Sequence, residues 1–387
     1  MNGMPLKLKQ YENPETIVNK HFRDYDLSGF RMTYLPESMS SFTDLECKDD
    51  KQFIEDDNRG AVFSKPALTI RNTDFYLSVK GVGSMMSPFS HQLMDLGEIE
   101  VLTGIQGLAD SFIRQNSAPP RFITGELWLR GSPYGGQGLQ HATTSLKVSE
   151  FADMTSINGF RFAPLIMISL LPPELESIIK KIYWYRKFPG RIVQEVRLIP
   201  SNVRIYFHSG STIGGNVSAI FDKFGIDSDE KAFEFLRNFV KSGIAYLTLF
   251  TRTLRWNGNG TYSGYDFYDV WLDKDAVLAP DGTIYFVDLE GLEWITVKEN
   301  EIAEKIDDQI YRSLYEFMFA YEQIEREREK RFRNKTNRKI EFEQIVKDAL
   351  VDDKIVGPEV IGQTLFLEIG NILGEQRLIS KFPILDW

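Results

Sequence analysis

Residues 75–90 read FYLSVKGVGSMMSPFS, and this stretch organises the chain. Phe75, Leu77 and Val79 alternate with Tyr76, Ser78 and Lys80, the period of a half-buried strand. The strand delivers Lys80 on its less apolar face to a bend at Gly81 and Gly83, where a backbone without Cβ turns sharply or approaches a ligand closely. A lysine at the end of a strand beside glycines suits a phosphate. Upstream, Ala61–Ile70 is a second strand-like run, and the intervening Arg71-Asn72-Thr73-Asp74 is a turn cluster. A β-hairpin is therefore predicted over residues 61–80.

Downstream, residues His91–Gln115 read as helical, closed by Pro119 and Pro120, and Phe122–Arg130 as a strand leading into the flexible Gly131–Gly138 loop. A helix is predicted over Ser145–Ser156, ending before Asn158-Gly159. Strands are predicted at Phe162–Leu171, Arg191–Leu198 and Val203–His208, the last two joined through Pro200-Ser201. Ser228 or Asp229 caps a long helix through Arg252, with Ala232, Leu236, Phe239, Val240, Gly243 and Leu247 on one stripe. After Trp256 comes a Gly/Asn-rich loop. Two short strands then flank Pro280-Asp281-Gly282, namely Val270–Leu272 and Thr283–Asp288. From Glu299 the chain reads as charged helix, and the run Glu325–Lys339 as a solvated helix face or a helix junction.

At 387 residues the chain is long enough for two lobes. Its net charge of −10 offers no general attraction to nucleic acid or an anionic membrane. The single cysteine, Cys47, excludes an intramolecular disulfide and a cysteine-based zinc site. The four histidines, His21, His91, His141 and His208, are not paired at ligand spacing. Metal chemistry must then be carboxylate chemistry, which suits Mg²⁺ or Mn²⁺. MNGMPLKLKQYENPET contains no apolar h-region, and Phe162–Leu171 is too short to span a bilayer, so a cytoplasmic protein is expected.

Phosphoryl or nucleotidyl transfer needs a cation on the phosphates, acidic residues on Mg²⁺, a covering loop and a carboxylate for the nucleophile. A kinase-like arrangement pairs the strand lysine with a helix glutamate and places a metal-binding aspartate after a later hairpin. Here Lys80 is the lysine and Glu150 its candidate partner. Val287-Asp288-Leu289-Glu290-Gly291 follows a strand, with Asp288 as metal ligand and Glu290 as a further one. Asp269 is the candidate base or metal-proximal carboxylate. The Gly131–Gly138 loop is the candidate cover.

Three segments resemble the selenoprotein O family of pseudokinase-like protein adenylyltransferases. Lys80-Gly81-Val82-Gly83, followed by Pro88-Phe89-Ser90, is similar to that family's lysine-glycine segment. Ser149-Glu150-Phe151 resembles its helix. Arg197-Leu198-Ile199-Pro200-Ser201-Asn202-Val203-Arg204 resembles its most specific motif, two arginines around a Pro-Ser bend that bind the nucleotide phosphates. The resemblance implies a flipped ATP and transfer of AMP to a protein hydroxyl, with Lys80, Gly81, Gly83, Glu150, Arg197 and Arg204 on the nucleotide. The chain departs from the family in its second lobe. Ser263-Gly264 stands for a His-Gly, Val270 follows Asp269 where the family has asparagine, and Lys274 stands where a kinase has one. Asp266, Asp273 and Asp275 are nearby alternatives among which the spacing does not choose.

The expectation is an α+β chain with a protein-kinase-like two-lobe fold, a β-rich N-lobe and a mainly helical C-lobe. Residues 1–60 would be an N-terminal extension, 61–227 the N-lobe, 228–298 the C-lobe core with the metal hairpin, and 299–387 its charged helical end. The expected activity is ATP- and Mg²⁺/Mn²⁺-dependent AMP transfer to a protein acceptor. The alternatives are a kinase of the same fold and a non-catalytic nucleotide-binding protein.

Overall fold

The alternation at residues 75–80 produces a strand that starts two residues earlier, at Thr73, in the computed structural model of the chain. The structure describes residues 5–12, 15–27, 30, 32–36, 47–56, 60–70, 72–81, 137–151, 156–157, 159–173, 176–177, 190–204, 213–267, 270, 272–289 and 292–332. The predicted helix His91–Gln115, the strand Phe122–Arg130, Gly83 and residues 131–136 of the proposed cover lie outside these.

In chain order the first elements are β1 (Pro5–Glu12), β2 (Thr16–Val18), β3 (Met32–Pro36), β4 (Cys47–Asp56), β5 (Gly60–Ile70), β6 (Thr73–Lys80), β7 (Gln137–Gly138) and helix α1 (Leu139–Phe151). Then come β8 (Ser156–Ile157), β9 (Phe160–Arg161), β10 (Leu165–Leu170) and β11 (Ile192–Ile199). Helices α2 (Ile213–Lys223), α3 (Asp229–Leu247) and α4 (Leu249–Thr253) follow, with β12 (Arg255–Trp256) and β13 (Thr261–Phe267) behind them. The helical turn α5 (Leu272–Asp275), strands β14 (Ala276–Leu278), β15 (Ile284–Phe286) and β16 (Leu292–Lys298), and helix α6 (Ile302–Phe332) complete the described chain. The architecture is α+β. Two compact units are formed, one from Asn2–Met154 with Ala163–Asn202, the other from Thr155–Phe162 with Val203–Trp387. The expected division between residues 227 and 228 falls later than the one after Asn202.

The first unit is built on an antiparallel sheet of order β2-β10-β11-β6-β5-β4-β1-β3, with β7 also paired to β11. The predicted hairpin is its centre: β5 and β6 join at Asn72, whose φ of +65° is one that asparagine tolerates better than most residues. Thr69 Oγ1 donates to Asp74 Oδ1 across that turn at 2.7 Å. Pro66 interrupts β5 at a register shift, where its missing N–H does least harm. Residues 1–60, expected as an extension of weak periodicity, instead supply β1 to β4 of the sheet. Their pairings join stretches far apart in sequence, β1 lying between β3 and β4, which a periodicity reading does not see.

Helix α1 covers β10 and β11. It was predicted over Ser145–Ser156 but runs six residues earlier at its start and ends at Phe151. The reason is packing: Leu139, Ala142 and Leu146 lie against Leu165, Ile168, Leu170 and Val193 in one apolar cluster. Fully burying a leucine or isoleucine stabilises by about 1.5–3 kcal/mol, enough to set the helix start where the apolar face begins. Just ahead of β11, Arg191 forks to Glu15 and Glu176, at 3.1 and 2.5 Å. The hydrogen bonds it donates to Glu15 and then to Glu176 hold its guanidinium still more firmly in the charged form.

The second unit is organised by α3. Ser228 caps it, its hydroxyl accepting from Lys231 N at 3.3 Å, and Asp229 and Glu230 occupy the first turn. The predicted single helix through Arg252 breaks at Thr248, whose own N–H and hydroxyl bond back to Ile244 O. At Gly243 a Cβ would sit 2.1 Å from the Phe317 ring, so the glycine lets α6 approach closely. The charged run beginning at Glu325 is, in its described part, a helix junction: Arg328 bonds Asp229 and Arg331 bonds Asp222. The Gly/Asn-rich loop after Trp256 is only four residues long before β13, which pairs with β12 and β16 in a three-stranded sheet. Among the described residues no helix is long and apolar enough to cross a membrane.

Candidate functional site

Lys80 closes β6, half-buried. Antiparallel pairing sets it directly opposite Glu195 on β11 and Gly60 on β5, and sets Ser78 opposite Arg197. Residues opposite one another share a sheet face. That face is the one under α1, because Val193, two residues before Glu195, packs on α1, as do Leu165 and Ile168 beside Arg197 and Glu195. Gly81 then takes the chain off the strand at φ +109°, with a Cβ there meeting Val193 O and Gln194 Cγ at 3.2 Å. The bend inferred from the sequence at Gly81 is therefore a close packing against β11, sealed by Gln194 Nε2 donating to Gly81 O at 3.2 Å.

Arg197 is 2% exposed and Glu195 0%. Arg197 Nε and Nη2 both donate to Glu195 Oε2, at 2.9 and 2.5 Å. The guanidinium charge is thus balanced inside the strand that carries it. Among the described residues, Arg197 Nη1 and Glu195 Oε1 have no hydrogen-bond partner although both are buried. Buried polar atoms without partners are rare and mark an ion, a water or a ligand position. Glu195 belongs to none of the motifs recognisable in the sequence. What could have found it is its place two residues before Arg197, on the same face of a strand.

Glu150 is placed elsewhere. Its Oε1 accepts from the backbone N–H of Lys20 at 2.8 Å, at the start of the 3-10 turn Lys20–Phe22 just past β2. His21 Nε2 contacts Glu150 O at 2.8 Å. Asn19, fully buried, donates from Nδ2 to Ser149 Oγ and Leu165 O. Strand β2 is separated from β6 by β10 and β11, three strand spacings or about 14 Å. Glu150 therefore caps a turn at the sheet edge, and the expected pairing with Lys80 is not the contact it makes. Replacing Asn19 by alanine is expected to cost about 2 kcal/mol, because a buried carbonyl and hydroxyl lose their donor. Glu150→Gln keeps an acceptor for Lys20 N–H and should cost well under half of that; urea titrations of the two variants measure the difference.

In the second unit the predicted strand Val270–Leu272 does not form. The Val270 carbonyl accepts from Tyr246 Oη at 3.1 Å and Leu272 N–H donates to Glu316 Oε2 at 2.9 Å, so side chains rather than a sheet satisfy this backbone. The hairpin that flanks Pro280-Asp281-Gly282 is β14–β15 instead. The predicted strand Val203–His208 contributes a bridge from Arg204 to Val277, and Val203 O accepts from Leu278 N at 2.8 Å; residues 205–208 lie outside the described residues. Arg197 and Arg204, read as a pair, belong to different units.

The hairpin brings two aspartates to one end. Val287 N donates to Asp275 O at 2.7 Å, extending the ladder by one step, and Asp288 follows Val287 directly. Asp275 is buried and Asp288 half-buried. An aromatic stack fixes this end, with Phe286 at 4.6 Å from Phe160 and 4.8 Å from Tyr246, and Tyr246 at 4.5 Å from Phe267. Asp266 is committed elsewhere, to Lys305 at 2.6 Å and Gln309 Nε2 at 3.0 Å, which removes it from the alternatives for the missing asparagine. Asp269 and Glu290 lie outside the described residues, as does the Asp273 side chain.

No family model, curated protein or solved structure matches the chain. The chemistry of the site thus rests on the residues themselves. Among the described residues no group of three or more histidine, cysteine, aspartate or glutamate side chains gathers around a point. Two carboxylates suffice for Mg²⁺, which keeps several waters and takes its remaining ligands from substrate phosphates. Asp275 and Asp288 stand at the same end of the hairpin, one before β14 and one after β15, with Asp275 opposite Val287.

Proposed function

We propose that the chain is an ATP- and Mg²⁺- or Mn²⁺-dependent transferase of kinase-like fold that moves AMP to a protein hydroxyl. The observation that carries this reading is the end of the β14–β15 hairpin, where Asp275 precedes one strand and Asp288 follows the other. The order of parts supports it: a strand lysine, a helix, the further sheet strands β10 and β11, a run of helices, then a hairpin-borne aspartate, as in kinase-like enzymes. In this reading Lys80 holds phosphate, Asp288 and Asp275 hold the metal, and Asp269 is the base. Asp275 takes the role of the asparagine that the sequence lacks at Val270 and Lys274. The bound Mg²⁺ would supply charge neutralisation on the transferring phosphoryl group.

ATP labelled separately at the α and γ positions tests this, with Mg²⁺ or Mn²⁺ and a mixture of protein acceptors. Label from the α position is expected in the acceptor, and Asp288→Asn should lower it roughly 100-fold. Asp275→Asn should retain transfer, because an amide oxygen still ligates, whereas Asp275→Ala should not. Label from γ alone would make the protein a kinase, and no transfer with unchanged MgATP binding would make it a non-catalytic binder. That last reading has its own support in Arg197 and Glu150, two expected site residues whose charged groups are engaged by Glu195 and Lys20.

A further inference from the structure

We infer that the buried pair of β11 and Ser145 of α1 together hold one enclosed water molecule, which makes Arg197 a structural residue of the sheet and not a phosphate ligand. Three side-chain atoms carry the inference. Arg197 Nη1, Glu195 Oε1 and Ser145 Oγ are all buried, and among the described residues none of them has a hydrogen-bond partner. Ser145 is as fully buried as Glu195, at 0% exposure. All three residues belong to the first unit. Two of the atoms are kept near each other by the pair itself. Arg197 Nε and Nη2 both donate to Glu195 Oε2, and Nη1 and Oε1 are the remaining polar atoms of the same two planar groups.

Helix phase brings the third atom to them. Leu139 N donates to Arg191 O at 3.1 Å where α1 begins, and Ser149 Oγ accepts from Leu165 N at 3.1 Å near its end. Leu165 is the register partner of Arg197, so α1 runs alongside β11 in the same direction. Ser145 lies one turn before Ser149, about 5.4 Å back along the helix axis. Glu195 lies two residues before Arg197, about 6.6 Å back along the strand. Ser145 is therefore level with Glu195. Its helix neighbours Ala142 and Leu146 pack on Val193, and Glu195 and Arg197 share the sheet face of Val193.

The three atoms call for a neutral ligand. Nη1 needs an acceptor, Oε1 needs a donor, and the serine hydroxyl serves as either. An anion would meet the carboxylate and a cation the guanidinium. Water donates and accepts at once, and about three hydrogen bonds to otherwise unpaired buried groups are its usual complement inside a protein. Such a water joins α1 to β11 by polar contacts beside their apolar cluster. It also engages Nη1, the guanidinium nitrogen that Glu195 leaves over and that a nucleotide phosphate would need.

A high-resolution crystal structure of the intact protein reads the site directly. One water peak is expected within hydrogen-bond distance of all three atoms. A protein side chain on Nη1 or Oε1, a phosphate there, or no peak at all overturns the inference. Urea unfolding tests it in solution. Ser145→Val puts methyl groups where the water sits and leaves Nη1 and Oε1 without a partner, so the midpoint should fall. Ser145→Ala should lower it less, because the water keeps two of its three bonds. In Glu195→Leu/Arg197→Met the water has nothing left to serve, and adding Ser145→Val should leave that variant's midpoint unchanged or raised. An equal fall in both backgrounds would mean crowding alone and would overturn the inference. Neither measurement uses a nucleotide, so the water site and the proposed activity stand or fall separately.

Discussion

Gly282→Ala is expected to destabilise the second unit by about 3 kcal/mol and to weaken the Mn²⁺ binding proposed for the hairpin end. Gly282 has φ +91°, and a Cβ added there would lie 2.0 Å from the carbonyl oxygen of Phe235 and 2.7 Å from its carbon. Both are backbone atoms in the middle of α3, so no side chain can swing aside. The turn is also tied to that helix. Asn238 Nδ2 donates to Asp281 O at 3.0 Å, and Ile284 N donates to Ser242 Oγ at 3.0 Å. Lifting the turn off α3 breaks these bonds and moves the two strands that carry Asp275 and Asp288. Gly258→Ala is the control: its φ is +83°, but nothing lies within 4 Å of the new Cβ, so only the backbone cost of about 1 kcal/mol remains. Denaturant midpoints for both variants, with Mn²⁺ titration of Gly282→Ala, measure the effect; equal midpoints would show that the turn is not docked on α3.

The second large effect is expected at the buried pair of β11. Removing either partner leaves an uncompensated charge among Val193, Leu165 and Ile168, and Glu195→Leu or Arg197→Met should each cost about 3–5 kcal/mol. The double variant should cost far less than the sum, because apolar side chains of similar volume suit this layer once both charges are gone. A double-mutant cycle by urea unfolding gives the coupling. Additive losses would mean that the two groups do not form a buried pair. The cycle also separates structure from function. A double variant that folds yet has lost MgATP binding would show that the charges serve a ligand, beyond holding the strand.

Much of the fold was legible where the cause is local. The β5–β6 hairpin, the cap at Ser228, the apolar stripe of α3 and the turn at Pro280-Asp281-Gly282 follow from alternation, side-chain capping and turn chemistry, all carried by adjacent residues. Lys80 at the end of its strand and Gly81 at the bend belong with them. The readings that failed depended on partners distant in sequence. Residues 5–56 look irregular until β1 is laid between β3 and β4. Val270–Leu272 looks like a strand until Tyr246 and Glu316 take its backbone groups.

The candidate site divides the same way. The sequence by itself determined which residues can carry charge to a phosphate or a metal, and it determined that Lys80 and Asp288 each stand at the end of a strand. Only the tertiary structure decided who their neighbours are. Register places Glu195 beside Lys80, the Lys20 turn takes Glu150, Lys305 takes Asp266, and the β14 ladder brings Asp275 toward Asp288. The physical reason is that an ion pair or a metal site depends on distance in space, and distances between residues far apart in the chain are set by strand register and packing, which no local pattern encodes.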